Sequence, residues 1–479
     1  MVFSSLIFVF CFFVIHFAAM MFAPTIKAKN AVLLVSSLIF YAWGGASYLV
    51  LLCGMVFVNY AGAILTDRAA DGRSRKAYMI ITVTADLLLL GFFKYTGFFL
   101  SNIKLITGFP ETIPQIALPI GISFYTFQLL SYTVDVYRKE VPAQKSYGLL
   151  LLYTASFHQC IAGPIVRYAD VNEELLHRRV SVTEVSDGIV RFSVGFAKKA
   201  ILANTCAKLA DELLPFDTAA LSSSSSLALI LGGVAYMFQI YFDFSAYSDM
   251  AIGMGWMTGF HYKENFNYPY TATSVTDFWR RWHISLSSFF KDYVYIPLGG
   301  SRVSKGRHIF NLFAVWFLTG MWHGASWNYI MWGLYFLVFL LLEKFVFRID
   351  MHKKLPAYMQ IPRRIYLLVV IFFSWILFRF SDLSMVWATV RGIFCLNSNG
   401  FTDSAIGVTF MNYIYLLLFA VIACTPLYKK IYDRASASQN GTVAAIHNVW
   451  IIAGPVLLMF FSFASLVGDS YNPFIYFIF

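Results

Sequence analysis

An imidazole at position 323 stands in the run Gly320-Met321-Trp322-His323-Gly324-Ala325-Ser326-Trp327-Asn328, with long apolar stretches on both sides. Ionisable groups at bilayer depth are costly, so each is a candidate for function. A low-dielectric site favours neutral, basic imidazole, which takes and returns a proton near neutral pH. That suits removing a proton from a hydroxyl as its oxygen attacks a carbonyl. The plainer alternative is a histidine hydrogen-bonded between helices.

A second imidazole, His283, lies in Phe278-Trp279-Arg280-Arg281-Trp282-His283-Ile284-Ser285. Two arginines and two tryptophans beside it suggest an interfacial segment with aromatic anchors. His283 is then either structural or a second polar group lining the same cavity from the inner side. Asp243 and Asp249 interrupt a third apolar stretch. Spaced i, i+6, they do not share a helix face well and read as hydrogen-bonding supports. The sequence holds no H-E-x-x-H, G-x-x-x-x-G-K-[ST], G-x-S-x-G or G-x-G-x-x-G. Metalloprotease, P-loop ATPase, α/β-hydrolase and dinucleotide-binding chemistry therefore have no support, and no metal site is expected.

The elements that must position these groups follow from composition. The chain has 479 residues, 59% apolar and 19% aromatic, with only 13% charged. Such a chain cannot cover its apolar surface with polar groups, which excludes an ordinary cytosolic enzyme, a disordered protein and a secreted disulfide scaffold. It predicts an all-α polytopic membrane bundle of roughly eleven to twelve spanning helices in one domain, with re-entrant and interfacial helices besides. The net charge of +11 resides in loops and reads chiefly as topological rather than as a nucleic-acid footprint. The six cysteines contain no C-x-x-C pair and read as single buried thiols.

Residues 1–22 lack a basic n-region and a clear cleavage site, so a retained first helix is expected. Gly44-Gly45 breaks the run 31–65 into a hairpin. Further spans are expected near 77–99 and 116–136. Residues 147–166, with Gly163-Pro164, suggest a re-entrant segment; 170–213 suggests surface helices and 222–226 a polar linker. The stretch 227–260 is apolar, and 309–347 should break at Gly320 and Gly324. Three more spans are expected near 365–380, 407–426 and 448–468. Loop charges place both termini outside. The segment 261–308 is the most polar, with three histidines, seven Lys/Arg and three Asp/Glu. It reads as a cytoplasmic-side re-entrant or interfacial segment.

The chain resembles the membrane-bound O-acyltransferase (MBOAT) superfamily, in its bacterial AlgI-like, alginate O-acetylation branch. The similar segments are LPIGISFYTFQLLSYTVDVYR (118–138), IAGPIVRY (161–168), QIYFDFSAYSDMAIGMG (239–255), ENFNYPY (264–270), DFWRRWHISLSSFFKDYVYIPLGGSR (277–302) and MWHGASWNY (321–329). The resemblance implies a helical bundle around a central funnel, with His323 as the catalytic histidine and His283 as the second functional histidine. Trp282, Trp322, Asn328, Asp243, Asp249, Arg280 and Arg281 are then supporting or funnel-lining candidates. A cytoplasmic thioester such as acetyl-CoA would be the donor, with no bound cofactor, and the basic 261–308 segment would meet it. The acceptor would be an extracytoplasmic polysaccharide or cell-wall polymer, reached through an SGNH-type transferase partner. The D-alanyl-transfer branch (DltB-like) shares WRRWH-like and WHG motifs, and would instead take D-alanine from a carrier protein to teichoic acid. A transporter without a covalent step is the rival from another class.

The chain ends Phe474-Ile475-Tyr476-Phe477-Ile478-Phe479, across residues 469–479 a tail that resembles the F-x-Y-F-x-F ending found in D-alanylation and some alginate-branch systems. There the tyrosine is thought to accept the acyl group, so Tyr476 is a candidate acyl relay. A phenolic ester is a better acyl donor than an alkyl ester, which suits that role. An aromatic membrane-edge tail is the alternative.

Overall fold

The computed structural model describes residues 2–349, 356–468 and 471–473. Among these, all regular structure is helical. Seven helices are long and apolar enough to cross a membrane: Ala46–Arg68, Gly72–Thr107, Ser226–Thr258, Trp327–Val346, Tyr358–Arg379, Ser404–Ala423 and Gly441–Val467. A shorter apolar helix, Phe8–Phe22, accompanies them, as do the 17-residue helices Ile26–Ala42 and Ile122–Arg138. On Ser404–Ala423 and Gly441–Val467, Val408, Phe419, Val456 and Phe460 point outward. Water would penalise such faces; hydrocarbon accepts them. The chain is a multi-pass membrane protein.

The chain divides into two compact units, Met1–Phe192 with Tyr247–Glu264, and Ser193–Ala246 with Asn265–Phe479. In the first unit, the expected hairpin breaks at Gly45, whose φ of 144° lies where an L side chain is strained. Thr25 and Asp71 cap the helices Ile26–Ala42 and Gly72–Thr107 by accepting from backbone N–H groups. Three helices are tied together by a buried polar group. Asn59 Nδ2 donates to both carboxylate oxygens of Asp86 at 2.9 Å, and Thr133 Oγ1 donates to Asn59 Oδ1 at 2.7 Å. The helix Tyr147–Ala155 ends at Ser156, and the non-helical backbone of 156–166 that follows is buried throughout. That agrees with the broken segment expected there.

The second unit is built on aromatic packing. Trp279, Trp282, Trp316, Trp332, Trp375 and Phe336 share one buried cluster. The helices Lys305–His323 and Trp327–Leu341 cross where two glycines remove side chains. A Cβ on Gly320 would lie 2.5 Å from the Tyr329 carbonyl oxygen, and one on Gly333 would lie 2.3 Å from that of Trp316. Gly320 therefore does not interrupt the helix, contrary to expectation; its lost side chain allows close approach. The break falls at Gly324–Ser326, as expected of Gly324. The serine run also departs from a simple linker, because Ser222 and Ser223 close the short helix Thr218–Ser223.

Candidate active site

His323 is the last residue of the helix Lys305–His323, and Gly324 continues in extended backbone. The imidazole is buried among rings. Trp322 and Trp332 lie 4.9 Å away and Phe378 5.3 Å, all edge-on. Asn328, fully buried near the start of the next helix, fixes one of those walls. Its Nδ2 donates to the carbonyls of Leu377 and Phe378 at 3.4 and 3.3 Å, which holds the end of the helix Ala357–Arg379 against His323.

His283 sits between the helices Val275–Arg281 and Ile284–Phe290, with φ of 44°. Few non-glycine residues adopt that left-handed conformation, though histidine is enriched among them. The turn is pinned by Ile284 N–H donating to the Asn265 carbonyl at 3.0 Å and Asn267 N–H donating to that of Arg281 at 2.9 Å. Asn265 Oδ1 accepts from the Ser285 backbone N–H at 3.1 Å and from Ser285 Oγ at 2.8 Å. A backbone N–H can only donate, so the facing Asn265 atom must be the oxygen. His283 Nδ1, 3.2 Å from the same atom, therefore carries the ring proton. Nε2 is left as the basic nitrogen, with no hydrogen-bond partner among the described residues. Burial pushes this imidazole down to about 3, so it is neutral at any working pH.

Trp322 joins the two imidazoles. Its ring centroid lies 5.8 Å from that of His283 and 4.9 Å from that of His323. On the remaining side of His283, the Phe244 ring packs edge-on at 4.6 Å. Trp282 points into the aromatic cluster, 5.0 Å from Trp375 and 5.1 Å from Phe266.

The other expected site residues separate by role. Asp243 forms a buried ion pair with Lys199, Nζ to Oδ1 at 2.7 Å. Asp249 belongs to the first unit, where Arg191 Nε donates to it at 2.8 Å and the same guanidinium grips both oxygens of Glu264. Arg281 donates to Asp277 at 2.9 Å along its own helix, while Arg280 is exposed. Arg302, Lys305 and Arg307 are also exposed. Tyr476 lies outside the described residues.

Sequence reasoning passed over Asn265, Lys199, Phe378 and Glu343. Glu343 is buried, and its carboxylate accepts from the Val275 and Thr276 N–H groups at 2.6 and 2.9 Å, capping the helix that carries Arg280 and Arg281. A lone acid near the end of an apolar run, like a lysine before Ala200-Ile201-Leu202-Ala203, was the available signal.

Among the described residues no group of three or more His, Cys, Asp or Glu could hold a metal ion. The arrangement offers two buried imidazoles in aromatic walls, suited to proton transfer away from bulk water. The MBOAT, membrane-bound O-acyltransferase family model matches residues 115–386. The chain is 35% identical over 507 aligned residues to the probable alginate O-acetylase AlgI of Azotobacter vinelandii, covering 100% of both chains. It is 31% identical over 526 to the peptidoglycan O-acetyltransferase of Helicobacter pylori (strain ATCC 700392 / 26695), covering 100% of this chain and 97% of that one. To the teichoic acid D-alanyltransferase of Bacillus subtilis (strain 168) it is 30% identical over 239 residues, 47% of this chain and 59% of the relative. The chain belongs to the membrane-bound O-acyltransferase family and is an acyltransferase that uses an acyl donor.

Proposed function

We propose that this protein passes an acetyl or other short acyl group from cytoplasmic acetyl-CoA, or a similar thioester, across the bacterial inner membrane to O-acylate an extracytoplasmic polysaccharide or cell-wall polymer. The polymer class rests on the relatives matched over nearly full length, an alginate O-acetylase and a peptidoglycan O-acetyltransferase. The site reading rests on one observation: two buried imidazoles share Trp322 as a neighbour, at 5.8 and 4.9 Å.

His323 is the general base. It takes the proton of an attacking hydroxyl as the oxygen bonds to the thioester carbonyl carbon. The tetrahedral intermediate collapses, the C–S bond breaks, and the proton is returned to the departing thiolate. His283, neutral with Nε2 as acceptor, orients the incoming hydroxyl from the inner side. The attacking hydroxyl is that of Tyr476, which then carries the ester to the outer face, where an SGNH-type transferase takes it. Both termini lie on that outer side. Arg302, Lys305 and Arg307 supply positive charge toward the anionic donor.

Purified protein fed labelled acetyl-CoA or a D-alanyl carrier-protein thioester separates the two family branches. Acetyl labelling of the protein is expected. Labelling by D-alanine alone would move the protein to the teichoic-acid reading, and labelling by neither would sink both. Mass spectrometry of the C-terminal peptide tests the relay, which fails if Tyr476→Phe leaves polymer acylation unchanged.

A further inference from the structure

Among the described residues of the second unit, Lys199 and Asp243 are the most deeply buried ion pair, their side chains 1% and 2% exposed. Two charges taken out of water are compensated only when further hydrogen bonds satisfy them. For Lys199 that further acceptor comes from the far end of the sequence: Nζ donates to the carbonyl oxygen of Pro473. The two residues before it are held as well. Asn204 Nδ2 donates to Asn472 Oδ1 at 3.2 Å, and the Tyr471 hydroxyl donates to Asp211. Asp211 is itself fixed by Arg379, whose guanidinium donates to its other carboxylate oxygen at 2.8 Å and to the Leu214 carbonyl at 2.9 Å.

A second observation bears on this. Lys198–Ala203 is a π-helical stretch, in which the Asn204 N–H donates to the carbonyl of Lys199, five residues back. In an α-helix, residues five apart point about 140° away from each other. The widened turn brings residues five apart onto one face, and such turns concentrate at functional sites. Here it aligns Lys199 with Asn204. The same stretch offers its Ala200 carbonyl to Ser465 Oγ at 3.2 Å, near the end of the last helix.

We propose that Lys199, held by Asp243, is a positioning residue: with Asn204 and Asp211 it forms a seat that clamps residues 471–473 and so fixes where the final residues of the chain begin. Asp243 precedes Phe244, whose ring packs on His283. One turn of helix thus presents the seat's carboxylate and a wall of the imidazole site. Tyr476 is three residues past Pro473, within about 10 Å of extended chain. The functional consequence rests on the relay reading given above; the seat does not.

The test is a disulfide between Asn204→Cys and Asn472→Cys in full-length protein in native membranes, with the native cysteines replaced, and then the same pair carrying Lys199→Met. The parent pair is expected to cross-link under mild oxidation. Lys199→Met should slow it by roughly tenfold, the factor corresponding to one lost charge-assisted hydrogen bond. Because Lys199→Met strands Asp243, the double variant Lys199→Met/Asp243→Leu, which buries no lone charge, should show the same loss. Failure of the parent pair to cross-link, or equal rates in all three, overturns the seat. In Lys199→Met, retained thioester hydrolysis with lost polymer acylation supports both seat and relay. Slowed cross-linking with unchanged polymer acylation supports the seat and removes the relay.

Discussion

Asn265 Oδ1 lies 3.2 Å from His283 Nδ1 and accepts from the Ser285 N–H at 3.1 Å, and this pairing decides which imidazole nitrogen is basic. Asn265→Leu removes the acceptor and frees the ring to flip or change tautomer. Acyl transfer should drop by roughly 10- to 100-fold, chiefly in kcat, as expected when the hydrogen-bond partner that orients an imidazole is lost. Asn265→Asp keeps an acceptor in place and should recover most of the rate. Equal activity in the leucine variant, measured with labelled thioester, would separate His283 orientation from catalysis.

The same ring gives a pH dependence of stability. In the unfolded chain an imidazole binds a proton below about pH 6.5. In the fold, burial holds it neutral down to about 3. The unfolded state therefore binds more protons across that window, and stability is lost as pH falls from about 6.5 toward 3, by at most about 1.4 kcal/mol per pH unit for one group. Thermal unfolding in detergent at pH 7 and pH 5 should show the fall, and His283→Gln should show less of it. An identical slope in the variant contradicts the burial of a neutral ring.

Glu343 caps the helix Val275–Arg281 from a distant part of the chain through bonds of 2.6 and 2.9 Å. Glu343→Leu leaves two N–H groups without that acceptor and should destabilise the protein by roughly 3 kcal/mol. A drop in Tm is the readout; an unchanged Tm means that the helix end is satisfied otherwise.

Much of this was legible beforehand, and the division has physical causes. His323, His283, Asp243 and Asp249 stood out because charge in an apolar run is rare. Their pairing did not, since Lys199 meets Asp243, and Arg191 meets Asp249, across sequence gaps that carry no periodic signal. Helix-breaking glycines misled at Gly320, where the missing side chain serves helix crossing and not a break. Asn265 was invisible because a single polar residue in an already polar segment looks like solvent-facing loop; only the fold shows it buried against His283.

Arg302, Lys305 and Arg307 are exposed, so their effect on an anionic donor should act over distance and be screened by salt. Replacing all three with alanine should raise KM for acetyl-CoA several-fold with little change in kcat, and the difference should shrink at high ionic strength. A fall in kcat at constant KM would place the charges in the chemical step instead.

The decisive measurement is acetyl transfer from labelled acetyl-CoA by purified His323→Ala, compared with the parent at equal folded concentration. Loss of a general base predicts a fall of roughly 10²- to 10⁴-fold with Tm nearly unchanged. Transfer at the parental rate would mean that the buried imidazole among Trp322, Trp332 and Phe378 is structural and that the chemistry lies elsewhere.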